Sequence, residues 1–341
     1  MRYEVLGAEV EDANFLYGGY VGAEGIRTIL SLVGKDLSGF KRILDFGCGC
    51  ARVLRWLDPL AATSELYGSD ISEAAVRWCQ QHLPFAAFSA NGPSPPLPYP
   101  DDSFDLIFSI SVLTHLDEDY QFQWLKELKR IAKPGAFIVQ TVHGMNLARL
   151  HLAPKDISRL DRKGFLYRRE SSSGGLHGHP DFYQTAYHTS SYIEREWSRF
   201  FRIAATMAHG PAYHQEMVLM ENDETRGESP VRRELPMIVL DEPQIARGVE
   251  SSEMMVRGWA FYPDGRALRL DLWIDGKRVR SLDVADPRPD VAKAFPVFPT
   301  AGQAGFSGVV RVDDLSDGPH RIWLTRSGDE FPCIASYFLK H

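Results

Sequence analysis

The chain contains 341 residues, of which 44% are hydrophobic and 24% charged, a composition typical of a globular protein with room for two domains. A formal charge of −7 argues against the basic surface with which proteins bind nucleic acids non-specifically. Four cysteines without metal-ligand or disulfide spacing predict reduced thiols, and the N-terminal segment lacks the apolar stretch of a leader or a membrane span. We therefore expect a cytoplasmic protein.

The first forty residues are predicted to be helical and to precede the first strand. Their apolar side chains indicate packing against the edge of a sheet. The apolar positions are Phe15, Tyr17, Tyr20, Ile26, Ile29 and Leu30.

A strand, a glycine turn and a helix follow in close succession. Residues 42–46 form a short apolar run typical of a buried parallel strand, and Gly47 and Gly49 then turn the chain. Residues 53–57 predict a helix that ends near Pro59. Because glycine has no side chain, a nucleotide can approach the backbone closely at such a corner.

The second predicted strand ends on an acidic residue. Residues 65–70 form this strand and place Asp70 about twenty residues after the turn, where a carboxylate commonly binds ribose hydroxyls. The turn lacks the third glycine of NAD and FAD sites, since residues 50–52 are Cys, Ala and Arg. Asp45, just before the turn, would lie poorly beside a pyrophosphate and better beside a cationic ligand.

Predicted helices and strands continue to alternate up to residue 222. Three helices are predicted, at 74–82, at 124–131, and from about Ser190 with a cap at Ser191. The predicted strands cover 85–88, 104–110, 136–140, a segment near 201–203, and 215–220. Residues 145–190 are rich in His, Arg, Ser and Gly, which predicts a long loop that is functional or mobile.

The glycine turn and three later motifs resemble the class I S-adenosylmethionine-dependent methyltransferases. The later motifs are the strand at 104–110, the Lys133-Pro134-Gly135 corner before the fifth strand, and the final strand at 215–220. The resemblance covers about residues 40 to 220 and implies a Rossmann-like, doubly wound, mostly parallel sheet with a final antiparallel strand. It also implies that the helical preface covers the cofactor, although Cys50 stands where many members have glycine.

The resemblance implies that nine residues bind S-adenosylmethionine. The two glycines of the turn would face the methionine part, Asp70 the ribose, and Asn91 the adenine edge, although Asn91 fits equally well as a plain turn residue. Two serines lie at the carboxyl end of the fourth strand, where open α/β sheets bind ligands. The full set is Asp45, Gly47, Cys48, Gly49, Asp70, Ile71, Asn91, Ser109 and Ser111.

Histidines are concentrated in the segments expected to border the cleft, and a hydroxyl acceptor would require a general base. His143 follows the fifth strand and is the first candidate for that base, with His115 and then His188 as alternatives. For each of them a structural role is the competing interpretation.

A metal site is a weaker hypothesis. His177, His179 and Asp181 carry ligand types that suit zinc or manganese. The segment lacks a helical or strand framework to hold them, so we expect a flexible loop and no metal.

A charged linker is predicted at 223–235, between a first domain (1–222) and a second domain (236–341). The second domain alternates with a period of two, and tight-turn signals separate its strands, which predicts a small antiparallel β-sandwich. The Gly258–Phe261 strand and the Arg288–Val291 loop resemble those of Ig-like β-modules attached to bacterial glycan-processing enzymes.

The methyl acceptor is inferred less directly than the cofactor. Enzymes that methylate nucleobase amino groups carry (Asn/Asp)-Pro-Pro-(Tyr/Phe) after the fourth strand, whereas this chain has Ile, Ser, Val and Leu at 110–113. The second domain favours a sugar or glycan hydroxyl, followed by a small natural product, and then by a non-catalytic cofactor- or glycan-binding assembly protein. It also offers a surface for homo-oligomer formation. Three tryptophans of this domain are suited to form a platform on which a sugar ring stacks or, as is more common, part of the hydrophobic core. They are Trp259, Trp273 and Trp323.

Overall fold

The computed structural model describes residues 12–168, 184–209, 215–223 and 229–341. Within these ranges the chain divides into two compact units, the first ending at Arg233 and the second beginning at Glu234. The division falls inside the segment 223–235, where the sequence predicts a linker.

The first unit is built on a large mixed sheet. The strands of this unit are β1 (Arg42–Phe46), β2 (Glu65–Asp70), β3 (Ala87–Ala90), β4 (Phe104–Ser109), β5 (Ala132–Val142), β6 (Phe165–Arg168), β7 (Thr185–His188), β8 (Arg202–Ala208), β9 (Glu216–Glu221) and β10 (Val231–Glu234). Eight of them form one sheet in the order β10-β8-β9-β5-β4-β1-β2-β3. Strands β1 to β5 are parallel, and β9 is antiparallel to both of its neighbours. The predicted Rossmann-like sheet with a late antiparallel strand is confirmed.

This strand order locates the site, because the winding direction of the sheet reverses between β1 and β4. Ligands of open α/β sheets bind at the carboxyl ends of the strands beside such a reversal. The α-helices that surround the sheet are α1 (Asp12–Ser31), α2 (Glu73–His82), α3 (Glu118–Ile131), α4 (Met145–His151), α5 (Pro154–Lys163) and α6 (Ser190–Glu196). No helix in the described part of the chain is long and apolar enough to cross a membrane.

The main core of this unit lies between one face of the sheet and helices α3 and α6. Alternate residues of the central strands, such as Leu44, Ile107 and Ile138, are fully buried there. Trp124 and Trp197 cover them from the helical side. The residues between them, such as Ile43 and Leu106, are buried as well, so these strands are covered on both faces, as the apolar run at 42–46 predicts.

The segment after the glycine turn differs from the sequence expectation. It is a 3₁₀ helix, Leu54–Ala62, where the pattern predicts a helix over 53–57 that ends near Pro59. Proline lacks the N–H group that an α-helix would bond at this position, whereas the segment winds past Pro59 in short turns. A helix is therefore present where the sequence predicts one, but it has 3₁₀ geometry, and its predicted end near Pro59 was wrong.

Residues 145–168 and 184–188 are regular where the sequence predicts a long loop. They form α4, α5 and the antiparallel hairpin of β6 and β7. A small separate core, which includes Leu160, Leu166 and Tyr187, holds these elements together. The many His, Arg, Ser and Gly residues of 145–190 concealed this structure, although apolar side chains such as Ile157 and Leu160 carry a signal for it.

Three boundaries also differ from the predicted ones. Helix α6 is capped by Thr189, whose hydroxyl accepts a hydrogen bond from the Tyr192 N–H, and not by Ser191. Strand β5 already begins at Ala132, so the predicted corner at 133–135 lies inside the strand. Strand β10 pairs with β8 and extends the sheet, although its residues belong to the predicted linker.

The second unit consists of two sheets. Its strands are β11 (Met237–Glu242), β12 (Arg247–Val249), β13 (Glu253–Phe261), β14 (Arg269–Ile274), β15 (Lys277–Asp283), β16 (Gly305–Arg311), β17 (Gly318–Arg326) and β18 (Pro332–Lys340). One sheet has the order β11-β13-β16 and the other the order β12-β18-β17-β14-β15. All neighbouring strands are antiparallel except β12 and β18. The likeness to Ig-like modules stays a prediction.

A short α-helix, α7 (Pro289–Ala294), and a 3₁₀ helix at Ala301–Gln303 interrupt this all-β pattern, in which the sequence shows almost no helix signal. Proline at the first position of α7 has the backbone angle that a helix start requires. The Arg288 guanidinium before it donates to Asp241 at 2.8 Å and to Asp290 at 2.9 and 2.7 Å. These bonds anchor the helix to β11.

The pairing of β10 with β8 predicts where the first unit can be cut. A chain that ends at residue 233 should be soluble and should unfold cooperatively, because it keeps all of β10 except its last residue, Glu234. A chain that ends at residue 222 loses β10 and exposes the edge of β8, so it should melt several degrees lower or aggregate. The melting temperatures of the two fragments can be compared by circular dichroism. Equal melting temperatures, or an insoluble 1–233 fragment, would contradict the assignment.

Candidate functional site

The glycine turn after β1 leaves bare backbone at the carboxyl edge of the sheet. Gly47 has φ of 79° and Gly49 has φ of 53°, a left-handed region that favours glycine. A Cβ atom on Gly47 would lie 2.1 Å from Cγ2 of Val112. The N–H groups of Gly47 and Cys48 both donate to the Ser69 carbonyl, at 2.7 and 3.0 Å. The turn is therefore held against the end of β2 and cannot accommodate a side chain at residue 47.

Asp70 joins this turn to the next helix. Its Oδ2 accepts from the Gly49 N–H at 2.7 Å, and its Oδ1 accepts from the Ser72 N–H at 2.8 Å. Ser72 in turn caps α2, with its hydroxyl accepting from the Ala75 N–H. The carboxylate thus lies at the strand end that the sequence assigns to ribose, and Ile71 beside it is half-buried.

Asp45 is a buried acid behind the turn, with 3% of its surface exposed. Burial, together with the nearby Asp70 carboxylate, raises the pKa of Asp45 well above its usual value. The positive charge of Arg52 and a backbone N–H of Leu54 act in the opposite direction. The site therefore contains two interacting acids, and only Asp70 is half-exposed.

Arg52 is a site residue that the sequence reasoning missed. Its guanidinium is largely buried, which lowers the pKa of Arg52, and no described carboxylate lies within 4 Å of it. A Cβ atom on Gly18 of α1 would lie 2.7 Å from its Nη1. A largely buried cation that no described carboxylate contacts, and whose charge acts on Asp45 only at longer range, is suited to bind the carboxylate of a ligand. The available signal was a charged residue directly after an apolar glycine turn.

Helix α1 packs on this segment through glycine backbone. A Cβ atom on Gly19 would lie 2.1 Å from the Arg52 carbonyl oxygen, and one on Gly22 would lie 3.0 Å from a Val53 methyl group. The helix therefore contacts the glycine-turn segment at the closest distance that backbone allows.

Three thiols surround the turn from behind. Cys48, Cys50 and Cys79 are buried, and none of the four cysteines of the chain is in a disulfide. Burial raises the pKa of each thiol, that of Cys79 to about 12, so they stay protonated at neutral pH. The Cys48 sulfur lies against Gly68, where an added Cβ would be 2.9 Å away. Its side chain thus faces the sheet, and only the backbone of Cys48 belongs to the turn.

Asn91 follows β3 beside Asp70. Its N–H donates to the Asp70 carbonyl at 3.0 Å, and its Oδ1 accepts from the Ser69 hydroxyl at 2.7 Å. Asn91 also donates to the Gly92 carbonyl at 2.8 Å. It therefore serves as a turn residue at the position where the sequence also predicts an adenine contact.

Ser109 and Ser111 differ in their surroundings. Ser109 is fully buried beside Gln140 in the β4–β5 register, and neither its hydroxyl nor the Gln140 amide has a partner among the described residues. Ser111 has φ of 65°, which is strained for a residue with a side chain. Its N–H donates to Thr141 at 2.8 Å, and its hydroxyl accepts from Gln215 at 2.5 Å. Polar groups of β4, β5 and the start of β9 thus converge at this edge.

His115 and His143 lie together at the same edge. Their ring centroids are 6.1 Å apart in an edge-to-face arrangement. Nδ1 of His115 lies 2.8 Å from the Gln184 carbonyl. Because a carbonyl only accepts, Nδ1 carries the proton and the lone pair of the neutral His115 ring is at Nε2. His143 is 9% exposed and packs on Tyr187.

The backbone N–H of His188 donates to the His143 carbonyl at 2.9 Å, but the His188 ring lies in the core. It is 1% exposed, packs against Phe165, Tyr192 and Trp197, and its Nε2 is 2.9 Å from Oε1 of Gln121. Burial lowers the pKa of His188 to about 3. The ring therefore stays neutral at physiological pH in a structural position.

Further polar residues line this edge that sequence reasoning did not select. Asn146 lies 2.7 Å from the ring of His209, which is buried at the end of β8. The Glu216 carboxylate at the start of β9 lies against Gly144, where a Cβ atom would be 1.8 Å from it. They come from segments far apart in sequence, so no local motif marks them. His177, His179 and Asp181 lie outside the described residues.

Comparisons with known proteins agree with this geometry. Residues 44–140 match the methyltransferase domain family. One relative is a probable phthiotriol/phenolphthiotriol dimycocerosates methyltransferase of Mycobacterium ulcerans, 32% identical over 30% of this chain and 39% of the relative. Another is a fatty-acid O-methyltransferase of Mycolicibacterium smegmatis, 26% identical over 31% of this chain and 38% of the relative. The chain thus spans about two fifths of the length of these curated relatives.

A solved structure of a SAM-dependent methyltransferase from Methanosarcina mazei covers 53% of this chain and 91% of its own, with a TM-score of 0.38 and 20% identity. The glycine turn and the end of β2 both lie within the segment that matches the methyltransferase domain family.

The burial of His188 predicts a pH dependence of stability. The folded chain holds this histidine neutral, with a pKa of about 3 against about 6.5 when unfolded. Its contribution is therefore complete above pH 6.5 and is lost progressively as the pH falls towards 3. His188→Gln should flatten the fall in melting temperature between pH 7.5 and 4.5. The exposed His151→Gln is the control and should follow the parent, while parallel curves for His188→Gln and the parent would contradict the prediction.

Proposed function

We propose that the protein is an S-adenosylmethionine-dependent methyltransferase that methylates a hydroxyl oxygen, with a sugar or glycan as the acceptor. The observation that carries the proposal is the Asp70 carboxylate, which joins the glycine turn to helix α2 inside the matched methyltransferase segment. The bare backbone at Gly47 and the acid at the end of β2 fit a nucleoside ligand without a phosphate.

The charges of the site suit this cofactor better than a dinucleotide. Asp45 and Asp70 would repel a pyrophosphate, whereas S-adenosylmethionine carries a sulfonium and an amino group. Arg52 would bind its carboxylate, Asp70 its ribose and Asn91 its adenine edge. Backbone at Cys48 and side chains at Ile71, Ser109 and Ser111 would complete the walls. When bound, the cofactor supplies a methyl group activated by sulfonium, and the protein contributes mainly alignment.

For the general base we propose His115, with His143 as its neighbour. The sequence ranks His143 first because it follows β5. The structure supports His115 instead, since the Gln184 carbonyl orients its ring and leaves the accepting lone pair at Nε2. His143 would then pack against and position His115. His188 is not proposed as a base, because its ring is buried behind the site.

The sugar acceptor rests on the likeness of the second unit to modules of glycan-processing enzymes. A second acceptor class is a fatty acid, because one matched relative is named a fatty-acid O-methyltransferase. Transfer of a tritiated methyl group from the cofactor to nucleotide sugars, polysaccharide fragments, phenols and fatty acids would separate these classes. Label in fatty acids alone would contradict the sugar assignment, and label in no acceptor would favour a non-catalytic binding protein.

Cofactor binding can be tested at Asp70. Removing the carboxylate in Asp70→Ala loses charge-assisted hydrogen bonds worth about 1.5–3 kcal/mol, which corresponds to roughly 10- to 150-fold weaker binding. Calorimetry with S-adenosylmethionine and with its demethylated product measures the effect. Glu73→Ala, an exposed acid three residues away, is the control and should bind like the parent. Unchanged affinity in Asp70→Ala, or tight binding of NAD by the parent, would contradict the assignment.

The base can be tested with single histidine variants on whichever hydroxyl acceptor the transfer assay identifies. His115→Ala should lower turnover by about 10²- to 10⁴-fold, the usual worth of a general base, with cofactor affinity unchanged. His143→Ala should have a smaller effect, because it would act through His115. His151→Ala, an exposed histidine on α4, should match the parent. If His143→Ala lowers turnover more than His115→Ala does, His143 is the general base and His115 is the residue that positions it.

A further inference from the structure

Helix α5 carries basic side chains on the face that points away from the core. Leu160 is fully buried and Ile157 packs against the same small core, so these two residues define the inner side of the helix. Because an α-helix turns once every 3.6 residues, residues spaced by three or four lie on one face. On the outer face the exposed residues with this spacing are all basic, and a further basic residue lies beside them. The four are Lys155, Arg159, Arg162 and Lys163.

Basic residues of the neighbouring elements extend this surface. Arg149 in the last turn of α4 and Arg168 at the end of β6 are both exposed. The segment 145–168 contains six basic and two acidic residues, so its formal charge is +4 in a chain whose formal charge is −7. The two acids, Asp156 and Asp161, lie on α5 at the borders of its inner side and not among the basic residues of its outer face. Positive charge is therefore concentrated on one part of the first unit.

The chain itself does not neutralise these basic groups. Among the described residues, no carboxylate lies within 4 Å of the side chains of Arg149, Lys155, Arg159, Arg162 and Lys163, and none of the five donates a side-chain hydrogen bond. Other exposed arginines differ in this respect, since Arg77 pairs with Glu73 at 2.9 Å and Arg195 with Glu196 at 2.8 Å. The charge of the outer face of α5 is thus available to a partner.

The composition and shape of this face distinguish between possible partners. No large apolar side chain of 145–168 is exposed, so the face lacks the apolar centre of a stable protein interface. No aromatic side chain of the segment is exposed either, and a convex helix forms no groove, whereas single-stranded nucleic acids bind in basic grooves with stacked rings. Long side chains on one helix face can all contact a flat surface at once. The partner that fits is therefore flat and negatively charged.

We propose that the outer face of α5 binds the surface of a membrane rich in anionic lipids, with its lysines and arginines among the lipid head groups. Clusters of about four to eight Lys and Arg residues on an amphipathic helix bind such surfaces. The acidic remainder of the chain does not prevent this binding, because charges more than about 8 Å away are largely screened at physiological ionic strength. The attachment is peripheral, since the apolar side of α5 is used in the core.

Sedimentation of the full chain with lipid vesicles tests the proposal. We expect binding to vesicles of three parts phosphatidylcholine and two parts phosphatidylserine, no binding to vesicles of phosphatidylcholine alone, and release when the salt is raised from about 0.1 to about 0.5 M. The triple variant Lys155→Gln/Arg159→Gln/Arg162→Gln should bind about 100-fold more weakly, at about fivefold for each charge removed. The proposal goes beyond the methyltransferase assignment and is measured without cofactor or acceptor, so either can fail alone.

A second triple variant is the matched control. Lys126→Gln/Arg247→Gln/Lys277→Gln removes the same total charge from three exposed residues outside this face and should bind like the parent. Asp161→Asn removes an exposed acid beside the basic face and should strengthen binding about fivefold, which decides the matter if the first triple variant does not fold. Equal binding to both kinds of vesicle, unchanged binding of the folded α5 variant or of Asp161→Asn, or tighter binding of a DNA duplex than of the anionic vesicles would overturn the proposal.

Discussion

A single carboxylate at the end of β2 connects the parts on which the site depends. Asp70 bonds one backbone N–H of the glycine turn and one at the entrance to helix α2. Its negative charge also raises the pKa of the buried Asp45, and Arg52 offsets that repulsion from the other side. The turn, the helix start and the buried acid are therefore interdependent. A change in any one of these charges alters the geometry with which the backbone meets a ligand.

The carboxyl edge of the sheet is less well satisfied than the rest of the molecule. The amino-terminal half of the central strands is packed with apolar side chains, whereas the edge holds an unpartnered Gln140 amide, an unpartnered Ser109 hydroxyl and the strained backbone of Ser111 among the described residues. Buried polar groups without partners and left-handed side chains each reduce stability by about 1–3 kcal/mol. Local losses of stability of this kind are typical of ligand-binding sites. Their position at the carboxyl edge therefore agrees with the site derived from the strand order.

Structural features set by residues close together in sequence were predicted, whereas features set by contacts between residues far apart in sequence were not. The parallel strands and the Asp70 position follow from local signals, namely apolar runs, glycine pairs and spacing, and they were predictable. The ring orientation of His115 depends on the Gln184 carbonyl, sixty-nine residues away, and no local pattern records it. Arg52 was overlooked because burial of a charge is decided by α1, which packs on it from an earlier part of the chain. The pairing of β6 with β7 was missed because the Ser-, Gly- and His-rich stretch between the two strands dominates the composition of the segment.

The glycine-mediated packing of α1 has a consequence for how this protein can change. Most helix contacts tolerate exchange of one side chain for another, because neighbouring side chains can shift. At Gly19 the facing atom is the Arg52 carbonyl oxygen, which belongs to backbone and cannot rotate away. Even an alanine would lift the helix from the segment that carries Arg52. Related chains should therefore show few different residues at the position of Gly19 and many on the solvent-facing side of the same helix. Laboratory evolution of this domain should likewise yield few viable substitutions at Gly19.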